Sequence, residues 1–285
     1  MSENPASFDW NELTYNPYSE DLARGQRWST WDTIERLCRG PEPWPDWLVT
    51  SSAAVDTDLG ILKTGKEADV FLLERAVPDS PAETCLLAAK RYRSTDHRLF
   101  HRDSGYTDGR RVRSSAATRA LANRKSDFGK SLQAGLWVRA EWDALRRLYV
   151  AGVPVPYPVQ VEGQEILMEF IGDGQGAAPR LQQVRPTPSE LRSLFDQLLE
   201  ALRTLTSLQL VHGDLSPYNI LVDEANGPDP RLVIIDVPQV VDLVANPNAV
   251  DFLHRDCTTM ATWFTAKGLP VDGDELLADL LGHAW

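Results

Sequence analysis

The sequence predicts an α+β protein in which a strand-rich amino-terminal part precedes a helical carboxy-terminal part. Three observations carry this expectation. Between Gly60 and Tyr92, the β-like runs GILKTGKEADVFLLE and TCLLAAKRY flank the turn-rich VPDSPAE, the pattern of an antiparallel hairpin sheet. From Ser189 to Leu210, Leu191, Leu194, Leu198, Leu199, Leu202 and Leu205 recur at three-to-four spacing, the apolar stripe of a helix on a core. Beyond it, VHGDLSPYNILVD and RLVIIDVPQ read as a loop held between two short strands.

Along the chain, residues 1–29 are polar, rich in Asn, Ser and Tyr and without a period, and are read as a loosely ordered extension that carries no chemistry. A short helix is expected from Thr30 to Arg39, stopped by Gly40-Pro41, followed by the proline-stiffened PEPWPDWL. The sheet opens at Gly60. Residues 94–135 are charged and weakly periodic, and poor order is expected there. A helix over Leu136–Val150 would bring Leu136, Ala140, Leu145 and Leu148 together, with Gly152 ending it before VPVPYP. QEILMEFI follows as an apolar strand, and no internal repeat is visible.

At 285 residues, 42% hydrophobic and 25% charged, the chain can bury a core of ordinary globular size. No window is apolar enough to span a membrane, and MSENPASFDWNEL lacks the order of a signal peptide, so a cytoplasmic protein is expected. Cys38, Cys85 and Cys257 fit neither a zinc site nor a disulfide framework. The net charge of −12 argues against a mainly electrostatic nucleic-acid binder. Residues 91–147 nevertheless hold 14 Lys/Arg against 6 Asp/Glu, either a solvated face or a surface for an acidic or phosphate-bearing partner.

The strongest local signal is HGDLSPYN, His212 to Asn219, with Asp236 ending an apolar run 17 residues further on. Phosphoryl transfer needs a carboxylate to orient the attacking hydroxyl and hard oxygen ligands to hold magnesium against the phosphates. Asp214 suits the first role, and Asn219 and Asp236 the second. His-Arg-Asp also occurs at His101–Asp103 and His254–Asp256, but five residues beyond those aspartates stand Asp108 and Ala261 rather than Asn. Both are read as decoys, so changing Asp256 is expected to spare the chemistry. Lys90, at the end of the apolar LLAAK, is the candidate cation for the phosphates, and Glu141 on the following helix the acid that positions it. The turn from Gly60 to Ala68 is expected over the nucleotide, with Gly65 giving the backbone room beside phosphate; Glu67 excludes a Walker A loop.

These segments resemble the RIO family of atypical protein kinases, within it the Rio-one branch. The carriers are LKTGKEADVF, AAKRYR, AGVPVP, LMEFIG, VHGDLSPYNIL, IIDVPQ and FLHRDC, in family order from about Leu59 to Leu269, and residue usage points to a bacterial member. The resemblance implies a two-lobed protein-kinase-like fold: an extension over residues 1–58, a small β-rich lobe over 59–170 with a flexible basic loop at 93–135, and a helical lobe over 171–285 shortened and without a long activation segment. It implies ATP and magnesium between the lobes, Lys90 as the phosphate-binding lysine, and Asp214, Asn219 and Asp236 at catalytic and metal positions. It further implies nucleotide contacts from Lys63, Gly65, Lys66, Glu67, Ala68 and Val70, with Met168 behind the adenine and the backbones of Glu169 and Ile171 bonding to it.

RIO proteins are also slow ATPases that can phosphorylate the aspartate matching Asp236, and they autophosphorylate on loop serines, which makes Ser104, Ser114 and Ser115 candidates. Some assist maturation of the small ribosomal subunit, which implies a ribosomal particle or RNA as a partner. Lys63 stands where many members have serine, and GRRVRS follows its counterpart only loosely. A small-molecule phosphotransferase of the aminoglycoside or choline kinase type shares the HGD loop but not GKEADV or the VPQ after Asp236. The other alternative is an assembly factor switched by ATP, with the basic loop on RNA.

Overall fold

The computed structural model describes residues 22–93, 127–173, 176–224, 227, 229–237 and 240–284. One antiparallel sheet, in the order β1-β2-β3-β4-β6-β5, dominates the amino-terminal part. Its strands are β1 (Gln26–Trp28), β2 (Val55–Thr64), β3 (Ala68–Val77), β4 (Ser80–Tyr92), β5 (Pro158–Glu162) and β6 (Glu165–Glu169). The first β-like run of the sequence is therefore two strands, folded back at residues 65–67, and the second begins at Ser80 rather than at Thr84. Gly65 makes this fold-back: its amide donates to the Ala68 carbonyl at 3.0 Å, and a Cβ there would lie 2.7 Å from that oxygen. The close approach that needs glycine is thus to the loop's own return strand.

Side-chain alternation gives the sheet two apolar faces. On one, Leu73, Cys85, Leu87, Ala89 and Leu167 pack against Trp31, Leu48, Val49 and Ala54. On the other, Ala68, Tyr92 and Ile166 pack against Val138 and Trp142 of α1 (Asp127–Val150). The segment before the sheet is thus a structural layer, and Gln26–Trp28, read as part of a loose extension, forms an edge strand paired to Val55–Thr57. The expected helix at Thr30–Arg39 is reduced to a single 3-10 turn at Arg36–Cys38, because Trp31 is drawn into the sheet's core and the turn itself buries nothing. Helix α1 starts at Asp127, nine positions before the expected Leu136, and Gly152 ends it with φ +81°.

The layer is fastened by a buried ion pair. Arg75, fully buried, donates to Asp56 at 2.6 and 2.9 Å and to the Gln160 side chain at 3.0 Å, and Gln160 in turn donates to Thr30. Asp56→Ala leaves a buried guanidinium without its counter-ion and is expected to cost about 3–5 kcal/mol of stability. Breaking the exposed Arg36–Glu42 pair should cost under about 1 kcal/mol. Chemical denaturation of the two variants checks the contrast.

The carboxy-terminal part is built on α2 (Pro188–Ser207), which opens with a Thr187–Glu190 capping box and Pro188 in its first turn. Leu191, Leu194, Leu198, Leu202 and Leu205 form its buried stripe as expected, with Leu199 at the margin. Against it pack α3 (Ala249–Ala266) and α4 (Gly273–Gly282), two helices beyond those the sequence predicts. Two short ribbons, β10 (Ile220–Asp223) with β11 (Arg231–Ile234) and β9 (Leu210–Val211) with β12 (Val241–Asp242), frame the loop that starts at His212. A further small ribbon pairs β7 (Gly172–Asp173) with β8 (Gly176–Ala177). From Asp236 to α3 only residues 237–248 intervene, so no long activation segment is inserted there. Among the described residues no helix is long and apolar enough to cross a membrane, and the three cysteines are free thiols.

Candidate active site

Lys90 on β4 is the junction of the two parts. Its Nζ donates to Glu141 Oε1 on α1 at 2.6 Å and to Asp236 Oδ1 just beyond β11 at 3.0 Å. Burial disfavours the ammonium, but Glu141 and Asp236 outweigh it and raise the Lys90 pKa, so the side chain stays cationic. Asp236 is held below the usual carboxylate range, chiefly by Lys90. Burial raises Glu141, and the Lys90 charge opposes the rise. The Lys90–Glu141 pair is the one the sequence analysis expects, whereas the contact with Asp236, 146 positions away, has no local pattern to display it.

Asp236 occupies backbone space that non-glycine residues avoid, with φ +66°. It is fixed there from both sides, since the Ile235 amide donates to the Asn219 carbonyl at 2.9 Å and Lys90 holds the carboxylate. The same backbone bond brings Asn219 alongside Asp236. The Asn219 Nδ2 donates to the Asp214 carbonyl at 2.8 Å, which closes the 214–219 loop. Asp214 itself is exposed at the loop's crest, its pKa raised by burial of part of the carboxyl, lowered by Arg255 and raised by Asp236.

His212 is buried, and burial pushes its pKa down to about 4. Its Nδ1 accepts the Asp214 amide at 3.3 Å, which leaves Nε2 as the protonated nitrogen facing the Ile235 carbonyl at 3.4 Å. It is a neutral spacer of the loop and not a proton carrier near neutral pH.

His254–Asp256 lies within α3 and forms no second loop of the HGD kind, but Asp256 touches the loop of Asp214. On α3, with 1% of its surface exposed, its two carboxylate oxygens accept the amides of Gly213 and Leu215 at 2.8 and 2.9 Å, one on each side of Asp214. Arg255 donates to the Gly213 carbonyl. Gly213 has φ +85°, a conformation that turns the loop towards these partners and suits glycine. Asp256 thus holds the backbone on both sides of Asp214.

The nucleotide-side expectations fall on one face of the sheet. The register places Lys63, Val70, Lys90 and Ile166 in one row, and Leu72, Ala88 and Met168 in the row two residues along. Lys63 and Val70 therefore share the face of Lys90. Lys66 is exposed at the turn, Glu67 is half-buried, and Ala68 is buried against Trp142. The Glu169 amide is already donated to the Tyr157 carbonyl, and the Ile171 carbonyl already accepts the Ala178 amide. Ser104, Ser114 and Ser115 lie outside the described residues.

Replacing Lys90 by Met is expected to lower phosphoryl transfer by about 100-fold or more, since a charge stabiliser is lost and Glu141 is left buried without its counter-ion. The kcat of the purified variant beside wild type checks this.

A strand-rich lobe and a helical lobe joined at a Lys90–Glu141–Asp236 junction define a kinase-like phosphotransferase fold. A family model described as the RIO domain matches residues 86–276. The RIO-type serine/threonine-protein kinase Rio1 of Haloferax volcanii is 35% identical over 229 residues, 80% of this chain and 70% of that protein. The serine/threonine-protein kinase RIO3 of mouse is 28% identical over 268 residues, 91% of this chain but 49% of its own length, so the match spans about half of that relative. The crystal structure of the Rio2 kinase-ADP/Mg2+-phosphoaspartate complex from Chaetomium thermophilum superposes with a TM-score of 0.54 at 22% identity, over 79% of this chain and 62% of that one. The chain belongs to the RIO family of atypical serine/threonine-protein kinases, as its sequence resemblance implied.

Proposed function

We propose that this chain transfers the terminal phosphoryl group of magnesium-bound ATP, with Asp214 as the carboxylate that orients and deprotonates the acceptor hydroxyl. The observation that carries the reading is the single junction in which Lys90 holds both Glu141 and Asp236, with Asn219 tied back to Asp214 beside it. The lobes divide near residue 170, and the nucleotide lies between them. Its base would meet Met168, the Glu169 carbonyl and the Ile171 amide, the groups left over by the bonds to Tyr157 and Ala178. The partial burial that raises Asp214 suits it to accept a proton.

The donors fit magnesium. Asn219 spends its amide nitrogen on Asp214, which leaves Oδ1 available, and Asp236 gives Oδ1 to Lys90, which leaves Oδ2. One or two such oxygens suffice for an ion that shares phosphate and water ligands. Bound there, magnesium supplies charge neutralisation of the phosphates. Lys63, Gly65, Lys66, Glu67, Ala68 and Val70 form the cover of the site.

The acceptor is a protein hydroxyl, this chain's own Ser104, Ser114 or Ser115 included, or alternatively Asp236 itself. In the second case a carboxylate oxygen attacks the terminal phosphorus, ADP leaves, and water later cleaves the acyl phosphate. The phosphoaspartate named in the Rio2 complex supports that alternative. Incubation with γ-labelled ATP and magnesium separates the two. Acid-stable label on serine supports the first, hydroxylamine-labile label with phosphate release supports the second, and no turnover of either kind overturns the proposal.

A further inference from the structure

Two further cations, Lys63 and Arg180, stand beside this site, one on each lobe. Lys63 shares the sheet row of Val70 and Lys90, hence the face that looks onto Asp236. Arg180 belongs to the other lobe, and its place is fixed by backbone. The segment 179–182 is zipped to the stretch that follows Asp214: Val222 donates to the Pro179 carbonyl at 2.9 Å, Gln182 donates to the Pro217 carbonyl at 3.1 Å, and Arg180 bridges to Leu221. The Arg180 Nη1 also donates to the carbonyl of Tyr218, next to Asn219.

The two cations are close enough to act on each other. Burial lowers the Lys63 pKa, Asp236 opposes that, and Arg180 and Lys90 lower it further. Lys90 is neutralised by Glu141 and Asp236, whereas no ion pair of Lys63 or Arg180 is formed among the described residues. Positive charge from both lobes therefore meets at Lys63, where Asp236 matches it only in part. An anion placed between them removes the mutual repulsion and gains charge-assisted hydrogen bonds, and the planar guanidinium suits phosphate oxygens.

We infer that Lys63 and Arg180 form a clamp between the lobes for the terminal phosphate of the nucleotide, so that this chain distinguishes a nucleoside triphosphate from a diphosphate by these two side chains. The inference rests on the nucleotide site proposed above and assigns Arg180, which no sequence motif marked, a specificity role. The clamp acts on the group that is transferred. Its loss therefore weakens the triphosphate and leaves the diphosphate, whose remaining phosphates stay with Lys90.

Calorimetric titration with magnesium and either ADP or a non-hydrolysable ATP analogue tests this on the full chain. Arg180→Gln keeps a neutral donor for the Tyr218 carbonyl and removes the charge, Arg180→Lys keeps the charge, and Lys63→Gln removes the other cation. Arg180→Gln and Lys63→Gln should each bind the analogue about tenfold more weakly, with ADP affinity changed less than about twofold, and Arg180→Lys should recover most of the loss. Equal losses for both nucleotides, or none, would overturn the clamp while leaving the nucleotide site standing. Failure of wild-type protein to bind either nucleotide would overturn the site and the clamp together.

Discussion

Asp236→Ala is expected to reduce magnesium-dependent turnover by at least about 1,000-fold, the largest effect of any single substitution in this chain. One change removes the carboxylate that offers Oδ2 to the metal and the partner that holds Lys90 at 3.0 Å. Lys90 would keep Glu141 alone, and its ammonium would be drawn back towards α1. The fold should survive, because Asp236 lies beyond β11 and outside the apolar core, so alanine adds only the roughly 1 kcal/mol by which it bears φ +66° less well than aspartate. Turnover measured across magnesium concentrations, beside a denaturation curve, checks both halves. A variant that turns over at the wild-type rate removes Asp236 from the metal assignment.

The second large effect belongs to Asp256. Replacement by Asn keeps one oxygen for the Gly213 or Leu215 amide and confronts the other with an NH2 group, so the loop that carries Asp214 loses its two-point support. A fall in kcat of about 100-fold with little change in nucleotide affinity is expected, because the residue touches the loop and not the nucleotide. Burial raises the Asp256 carboxyl to about 7, with the two amides and Arg255 opposing it. Between its ordinary value and about 7 the folded protein retains a proton that the unfolded chain releases. The stability this group contributes is therefore fully present below the ordinary carboxylate range and is lost as pH rises through about 7. Loop support runs the other way, since only the ionised carboxylate accepts both amides. Wild-type kcat should thus rise between pH 6 and pH 8 while the denaturation midpoint falls, and Asp256→Asn should flatten both trends. A parallel pH dependence in wild type and variant would contradict the assignment.

Much of the candidate site's geometry was legible because its residues are concentrated in short stretches. Asp214 and Asn219 stand on one loop whose length is set by a single side-chain bond, and Asp236 follows a strand that pairs with the strand leaving that loop. Lys90 was legible through its apolar strand. What the sequence could not display is what the third dimension assembles. Asp256 serves Asp214 from 42 residues away through backbone amides, so no residue type at a fixed spacing announces it. Arg180 is placed by a backbone zipper. The early segment fails in the same way, because Trp31 obeys the sheet's core and not its own helical spacing. The helical signal of α3 lies in its apolar spacing, Leu253, Cys257, Met260 and Phe264, which runs past the FLHRDC motif and is masked by it.

The most direct test of the phosphoryl-transfer centre is a comparison of wild type with Asp214→Asn in magnesium and γ-labelled ATP, following loss of the terminal phosphate per enzyme molecule. The variant keeps the Asp214 backbone that bonds Asn219 and His212 and loses only the proton-accepting carboxylate. The account predicts nucleotide binding within about threefold of wild type and transfer to hydroxyl acceptors slowed by about 100-fold or more. Unimpaired transfer by Asp214→Asn would contradict it.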